Sequence, residues 1–424
     1  MKIDLTVATQ HLARIEGHGT IFVRVSGGVV CEARWEVVET PRFFEVMLKG
    51  RHYSEAPLLA ARICGICSIG HCLASLRATE AAFGTAIPET ARKLRLLALH
   101  GELLQSHYLH LFFLAAPDFL SLESALPLLA SRPDIVHLAG RLKGVGNRVS
   151  ELAAGRSTHP VSLKAGGVAR MPSRERLLAV RDDLARSLDD IRQAGDLFGS
   201  FTLPDFVRET EYVSLKGEGS YPWAGGRLVS SDNVEAGEEE YLAMTNEYLP
   251  ASGTSKWCRL SRPSYAVGAL ARFNNNHRFL HPEAAALAAR LGLAPPCHNP
   301  FMNTYAQLVE CLHVTHEAMG LLEELAGAEG GQLAVAVQPS AGTGTGAVEV
   351  PRGILYHHYE YDAEGYVVRA DCVIPTTQNN ANIHFDLPEL TRRFARHGMT
   401  DEELERLCAM LVRAYDPCLS CAVH

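Results

Sequence analysis

A chain of 424 residues with 47% apolar and 21% charged residues has ample material for a large core, so it needs neither disulfides nor a structural metal to fold. A formal charge of −8 offers no basic face, which sets aside nucleic acid and anionic membrane surfaces as partners. Eleven cysteines, an odd number spread thinly along the chain, favour a reducing, cytoplasmic compartment. Asp4 falls where a signal peptide needs an apolar run, and no stretch of eighteen uncharged apolar residues suggests a membrane span.

In chain order, the first forty residues carry alternating runs, "TIFVRVSG" and "VVCEARWEVVE", split by Gly27-Gly28, and predict a small antiparallel sheet after a loop at "RIEGHG". From about 41 to 200 the pattern turns helical, with long apolar-periodic stretches such as "PETARKLRLLALHGELLQSHYLHLFFLAAP". From about 201 to 270, Gly, Tyr and Ser enrichment with turn signals predicts a β-containing insertion. Helices resume from about 271, followed by a glycine-rich stretch, "GTGTG", that reads as a loop because no Lys-Ser/Thr follows to make it a phosphate cradle. Two strand-like runs then surround "GILYHHYEYDAEGYVVRADCVIP", and a last helix, "DEELERLCAMLVRAY", leads to the carboxyl end. No repeat, linker or low-complexity segment divides the chain, so one domain over 1–424 is expected: an α+β fold, predominantly α-helical, with small peripheral sheets.

The chemistry concentrates in two C-x-x-C pairs, Cys64 with Cys67 in "RICGICSIGH" and Cys418 with Cys421 in "DPCLSCAVH". Four soft sulfurs aimed at one point select a thiophilic transition metal. From the cysteines alone, a structural zinc site and a dithiol redox pair both stay open. Zinc staples usually hold small loop-rich units, whereas these pairs sit far apart in a chain with its own core. The first pair is read as part of a helix, which would put His71, seven residues after Cys64, two turns further along the same face. Pro417 stops the preceding helix and lets both terminal thiols turn inward.

These two motifs resemble the signature motifs of nickel-iron hydrogenase large subunits. "RIEGHG", "PRFFEVMLKGRHYSEAP", "LQSHYLHLFFLAAPDF", "VEVPRGILYHHY" and "VIPTTQNN" resemble the family in the same order along the chain. The resemblance implies heterolytic interconversion of H2 with protons and electrons. It implies Cys64 and Cys418 as terminal nickel ligands, and Cys67 and Cys421 bridging nickel to an iron that carries one CO and two cyanides, a Ni-Fe(CN)2(CO) centre. Cys418 would be the first proton acceptor and Glu16 the proton gate beside it, where the reading from residues alone has Glu16 capping a turn. Arg352 would stand above the open coordination position, Pro351 and Thr376 would line the diatomic ligands, and His71 would donate to a bridging thiolate. Glu45 and His424 would hold a buried Mg2+, with the Cys372 carbonyl as third ligand. Family precursors are trimmed just after this histidine, and the sequence resembles the mature form.

One departure stands out: Ser106 occupies the place where many membrane-bound relatives have an aspartate, and nearby His107 and His110 read as a packed polar seam. The remaining cysteines have no iron-sulfur spacing, so electrons must leave through a partner. The family implies an iron-sulfur small subunit, with further electron-transfer subunits in the cytoplasmic, multi-subunit branch that "RFFE", "SHYLH" and "PTTQNN" resemble. An H2-sensing protein with the same metal site is the alternative reading. The quinone-site subunit of respiratory complex I shares the fold, but the four cysteines argue against it.

Overall fold

Gly27 and Gly28, both at positive φ (60° and 85°), make the two-residue turn of an amino-terminal antiparallel sheet of three strands, β1 (Leu5–Thr9), β2 (Gly19–Ser26) and β3 (Val29–Val37). Burial alternates along β2, with Ile21, Val23 and Val25 inward, as one buried sheet face requires. The structure is a computed structural model that describes residues 3–328 and 331–424.

The central layer is helical: α1 (Ser68–Ala82), α2 (Glu89–Leu109), α3 (Pro133–Ala154), α4 (Arg174–Gly199) and α5 (Asn303–Gly327). Helices α2 and α3 meet at two glycines. A Cβ on Gly101 would lie 2.5 Å from the Ser150 nitrogen, and one on Gly146 would lie 2.6 Å from the Gln105 nitrogen. Helix α1 is buried on almost every side, so its sequence shows no apolar stripe.

A second antiparallel sheet, in the order β4 (Gly342–Val350), β5 (Gly353–Tyr361), β6 (Val367–Val373), packs on α1. The "GTGTG" stretch expected as a loop is therefore the start of β4. Its glycines serve close approach: a Cβ on Gly344 would be 2.2 Å from the Ala78 carbonyl oxygen, and one on Gly346 2.3 Å from that of Ala74. The β-containing stretch forms a four-stranded sheet from Glu211–Leu215, Leu228–Ser230, Glu235–Ala236 and Tyr265–Ala266. Its Val213, Leu215 and Leu228 share a small core with Ala347, Ile354 and Tyr356 of β4 and β5.

The chain closes with α6 (Pro375–Phe394), α7 (Asp401–Ala414) and the short α8 (Leu419–Ala422). Helix α7 starts on a capping box in which Thr400 and Glu403 satisfy each other's backbone N–H. The two ends of the chain meet where Glu16 pairs with Cys418 in a parallel bridge, and the Leu419 N–H donates to the Glu16 carbonyl (2.9 Å). Gly17, at φ 84°, permits this contact, since a Cβ there would be 2.8 Å from that of Leu419. Among the described residues, no helix is long and apolar enough to cross a membrane.

Candidate metal centre

All four cysteines of the two motifs converge in the buried middle of the chain. Cys64 lies in an irregular turn, not in a helix, and its Sγ accepts from the N–H groups of Ile66 (3.3 Å) and Cys67 (3.5 Å). Helix α1 starts at Ser68, so His71 stands one turn beyond Cys67 instead of two turns beyond Cys64 on a shared face. At the other end Asp416, at φ 51°, breaks the chain away from α7 and delivers Cys418 in extended conformation. The Arg42 guanidinium binds both segments, donating to the carbonyls of Ile63 (2.6 Å) and Ser420.

The Sγ atoms of Cys64 and Cys418 are 3.6 Å apart, those of Cys67 and Cys421 3.7 Å, and those of Cys418 and Cys421 2.9 Å. Donors about 2.3 Å from one tetrahedral ion stand roughly 3.8 Å apart, so the longer separations fit thiolates sharing metal. A ring nitrogen of His71 also lies within 4.8 Å of the sulfurs of Cys67 and Cys421. The Cys64 thiol is pushed well below its ordinary range by S–H donation from Cys418, then from Cys421 and Cys67, whereas burial pushes Cys421 up. One sulfur is thus poised as a thiolate within a set that shares its protons.

Beside the sulfurs is a cavity of about 10 Å³, room for roughly one water, lined by Cys67, Cys418 and Cys421 with His71, Arg352 and Thr376. Val350, Ile374 and Pro375 complete its wall, and Pro351 is not part of it. The Pro351 carbonyl turns the other way and accepts from Arg272 (3.3 Å). A larger cavity of about 640 Å³ opens at the far end of α1, lined by residues that include Arg77, Glu80 and Arg95. Its three arginines are already paired, Arg77 with Glu238, Arg92 with Glu89 and Arg95 with Glu80, so no reactive set gathers there.

Charged and polar groups close on the sulfurs from four directions. Glu16 Oε2 lies 3.2 Å from Cys418 Sγ and accepts from the Ser420 N–H (3.0 Å), while its Oε1 accepts from the Ser420 hydroxyl (2.5 Å). The buried Arg352 donates to Asp416 through Nη2 to Oδ1 (2.9 Å) and Nε to the carbonyl (2.7 Å), and through Nη1 to Ser106 Oγ (3.3 Å). Thr376 Oγ1 accepts from the Cys418 N–H (3.1 Å), which leaves its own hydrogen free to donate. His71, whose pKa burial lowers to about 4, has its Nδ1 3.1 Å from His357 Nε2. His107 and His110 form the expected seam, His107 against Glu310 (3.0 Å) and His110 against Gln307 (2.6 Å).

Glu45 and His424 also meet: His424 Nε2, buried and without a hydrogen-bond partner, is 3.4 Å from Glu45 Oε1. Burial opposes ionisation of Glu45, but the adjacent His424 ring, the Lys256 ammonium and the Cys372 N–H together bring its pKa down to about 2. The Cys372 amide N–H donates to Glu45 Oε1 (2.9 Å), which sets this end of β6 beside the pair. An orphaned imidazole nitrogen facing a carboxylate fits a cation held between them, although the Lys256 ammonium, 3.8 Å from Glu45, already supplies charge nearby.

Three residues of the site went unread in the sequence. Asp416, next to the helix-stopping Pro417, is the buried partner of Arg352. Glu102, in the middle of α2, caps α1 by accepting from the N–H groups of Ile69 (2.7 Å) and Gly70 (3.0 Å), and burial raises its pKa to about 8. Arg272, clamped by Glu310 and Glu349, donates to the Val350 carbonyl (3.0 Å) and so holds the turn that carries Arg352. Only a buried charge in an otherwise apolar run could have signalled Glu102.

Four convergent sulfurs, a carboxylate touching one of them and a guanidinium over the adjacent cavity define a thiolate metalloenzyme that handles protons. The family model of nickel-dependent hydrogenases matches residues 42–134 and 256–424. The chain is 32% identical over 423 residues to the alpha subunit of sulfhydrogenase 2 from Pyrococcus furiosus, covering 99% of each chain. It is 28% identical to the beta subunit of the NAD-reducing hydrogenase HoxS from Cupriavidus necator, covering 97% of this chain and 93% of that one. Its fold matches a crystal structure of an NAD+-reducing [NiFe]-hydrogenase with a TM-score of 0.89 at 30% identity, covering 99% of each chain. A [NiFeSe]-hydrogenase from Dm. baculatum shares the fold at a TM-score of 0.73 and 22% identity over all of both chains. The chain belongs to the nickel-dependent hydrogenases, as the catalytic large subunit of an oxidoreductase acting on H2.

Proposed function

We propose that Cys64, Cys67, Cys418 and Cys421 hold a nickel-iron centre whose iron carries CO and two cyanides. When bound, that centre supplies the redox-active site at which H2 is split heterolytically. The observation that carries this reading is the contact of Glu16 with Cys418 inside the four-sulfur cluster. Cys418 Sγ accepts the proton and hands it to Glu16 Oε2. Both Ser420 donors keep that carboxylate in place. Arg352 presents a charged donor at the cavity and is kept from swinging away by Asp416. Thr376 offers its hydroxyl hydrogen to an acceptor on the same wall, and His71 an N–H to the sulfurs of Cys67 and Cys421.

Glu45 and His424 would hold Mg2+ near the carboxyl end, with the Cys372 carbonyl as a further ligand. The amino-terminal sheet (about 1–40), the helical core (about 41–200), the β-containing insertion (about 201–270) and the carboxyl-terminal part (about 271–424) act as one domain in this reading. Electrons pass to an iron-sulfur small subunit and further electron-transfer subunits, in the cytoplasm; support comes from the multi-subunit character of the relatives, whose names designate alpha and beta subunits. The test is H2-dependent reduction of an artificial acceptor by the matured complex, with nickel and iron measured on the same sample. Turnover with one nickel and one iron per chain, and loss of both metals in Cys67→Ser, is expected. Zinc in place of nickel in an active, matured preparation would overturn the reading.

A further inference from the structure

Helix α1 lies along the β4–β5 hairpin, fitted to each strand differently. Against β4 its backbone is seated on Gly344 and Gly346. Against β5 it presents His71, Ser75 and Thr79, one turn apart and about 6 Å per step. Strand β5 answers with His357, Tyr359 and Tyr361, alternate residues on its buried face, about 6.8 Å per step. The two steps nearly match, so three polar pairs form in register. His71 meets His357 at 3.1 Å, Tyr359 sits beside Ser75, and the Tyr361 hydroxyl meets Thr79 Oγ1 at 2.8 Å. Thr79 donates its own hydrogen to the Ser75 carbonyl (2.8 Å) and so accepts from Tyr361, anchoring the outer rung.

We propose that His357 and Tyr359 are positioning residues that fix the tautomer and orientation of His71, so that its Nε2–H faces the sulfurs of Cys67 and Cys421. The proposal rests on the reading that those sulfurs hold metal as thiolates. A metal-bound thiolate only accepts hydrogen bonds, so the histidine nitrogen facing it must carry the hydrogen. His71 Nδ1 is then a lone pair, and His357 Nε2, 3.1 Å away, must be the donor. That leaves His357 Nδ1 as an acceptor. The Tyr359 hydroxyl stands 2.7 Å from it and donates; the Cys372 thiol, 3.6 Å away, is a second donor to the same atom. The reverse order would set an imidazole lone pair against a thiolate. Every donor on the strand side therefore pushes the proton of His71 to the sulfur side.

The test is the infrared spectrum of the matured complex in the CO and CN stretching region, for wild type, His357→Leu, His357→Gln and Tyr359→Phe, with nickel and iron quantified. A Leu at 357 removes the donor to His71 Nδ1, so the CO band should move to lower wavenumber or split as the sulfurs lose an oriented N–H. The Gln side-chain amide can still donate, and should keep a single band at the wild-type position. Tyr359→Phe, nearly isosteric, should shift the band in the same direction as His357→Leu by a smaller amount. Wild-type bands in both His357→Leu and Tyr359→Phe would overturn the proposal. If His357→Leu fails to mature, Tyr359→Phe decides alone: a shift supports the proposal and an unchanged spectrum overturns it. Absence of any CO or CN band in metal-replete wild type would instead refute the nickel-iron reading itself.

Discussion

Asp416→Asn isolates the charge that holds Arg352. Both residues are buried, at 4% and 2% exposure, and the guanidinium reaches Asp416 through two hydrogen bonds of 2.9 and 2.7 Å. Asn tolerates the φ of 51° found there, so the backbone is spared. The substitution still leaves a buried guanidinium without a counter-charge. It also turns an amide toward Gln307 Nε2, which now donates to Asp416 Oδ2 (3.2 Å). Removing one partner of such a pair costs about 3–5 kcal/mol. With an unfolding entropy of roughly 2.1 cal/mol/K per residue, the whole chain unfolds with about 0.9 kcal/mol/K, so the melting temperature should drop by about 3–6 °C. Thermal unfolding of the metal-free chain reads this directly, and H2-dependent dye reduction by the matured complex should fall about 100-fold or more as Arg352 loses its place. The double variant Arg352→Met with Asp416→Asn should regain most of the stability and none of the activity. An Asp416→Asn protein that melts within about 1 °C of wild type and keeps its turnover would refute the idea that this pair positions Arg352.

Glu102 binds its proton more tightly when folded, near pH 8 against an ordinary 4.5, so the stabilisation it brings is present in full below pH 4.5 and is lost as pH rises through 8. Urea unfolding of the metal-free chain at pH 5 and pH 8 should show wild type losing up to about 3–4 kcal/mol more than Glu102→Gln; equal losses would contradict it. Glu16→Gln keeps the packing but removes the base, so turnover should fall about 10²–10⁴-fold with nickel and iron retained, whereas unchanged turnover would remove Glu16 from the proton route. His424→Ala should lower bound magnesium to a small fraction of the wild-type content by elemental analysis; wild type without magnesium would dispose of that site.

Much of this was legible because it is local. The Gly27-Gly28 turn, the long helical periodicities and the paired thiols each declare themselves within a few residues. What escaped depends on neighbours far along the chain. "GTGTG" carries the composition of a loop, and only α1 lying across it makes those glycines a flat seat for a helix. His71 was read on the face of Cys64 because helical spacing was carried back through a segment that is in fact a turn. Pro351 lies beside Arg352 in sequence, yet its carbonyl is claimed by Arg272 and Pro375 takes its place on the cavity wall. Asp416 stands beside Pro417, whose helix stop is local, but its role as counter-ion to Arg352 depends on a residue 64 positions earlier.

The most direct measurement is the infrared spectrum of the purified, matured complex in the metal-bound CO and CN stretching region, with nickel, iron and zinc determined on the same sample. One CO band with two weaker CN bands, and nickel and iron each near one per chain, is the expected result. A silent spectrum from a metal-replete sample that oxidises H2 would contradict a nickel-iron carbonyl cyanide centre on these four cysteines.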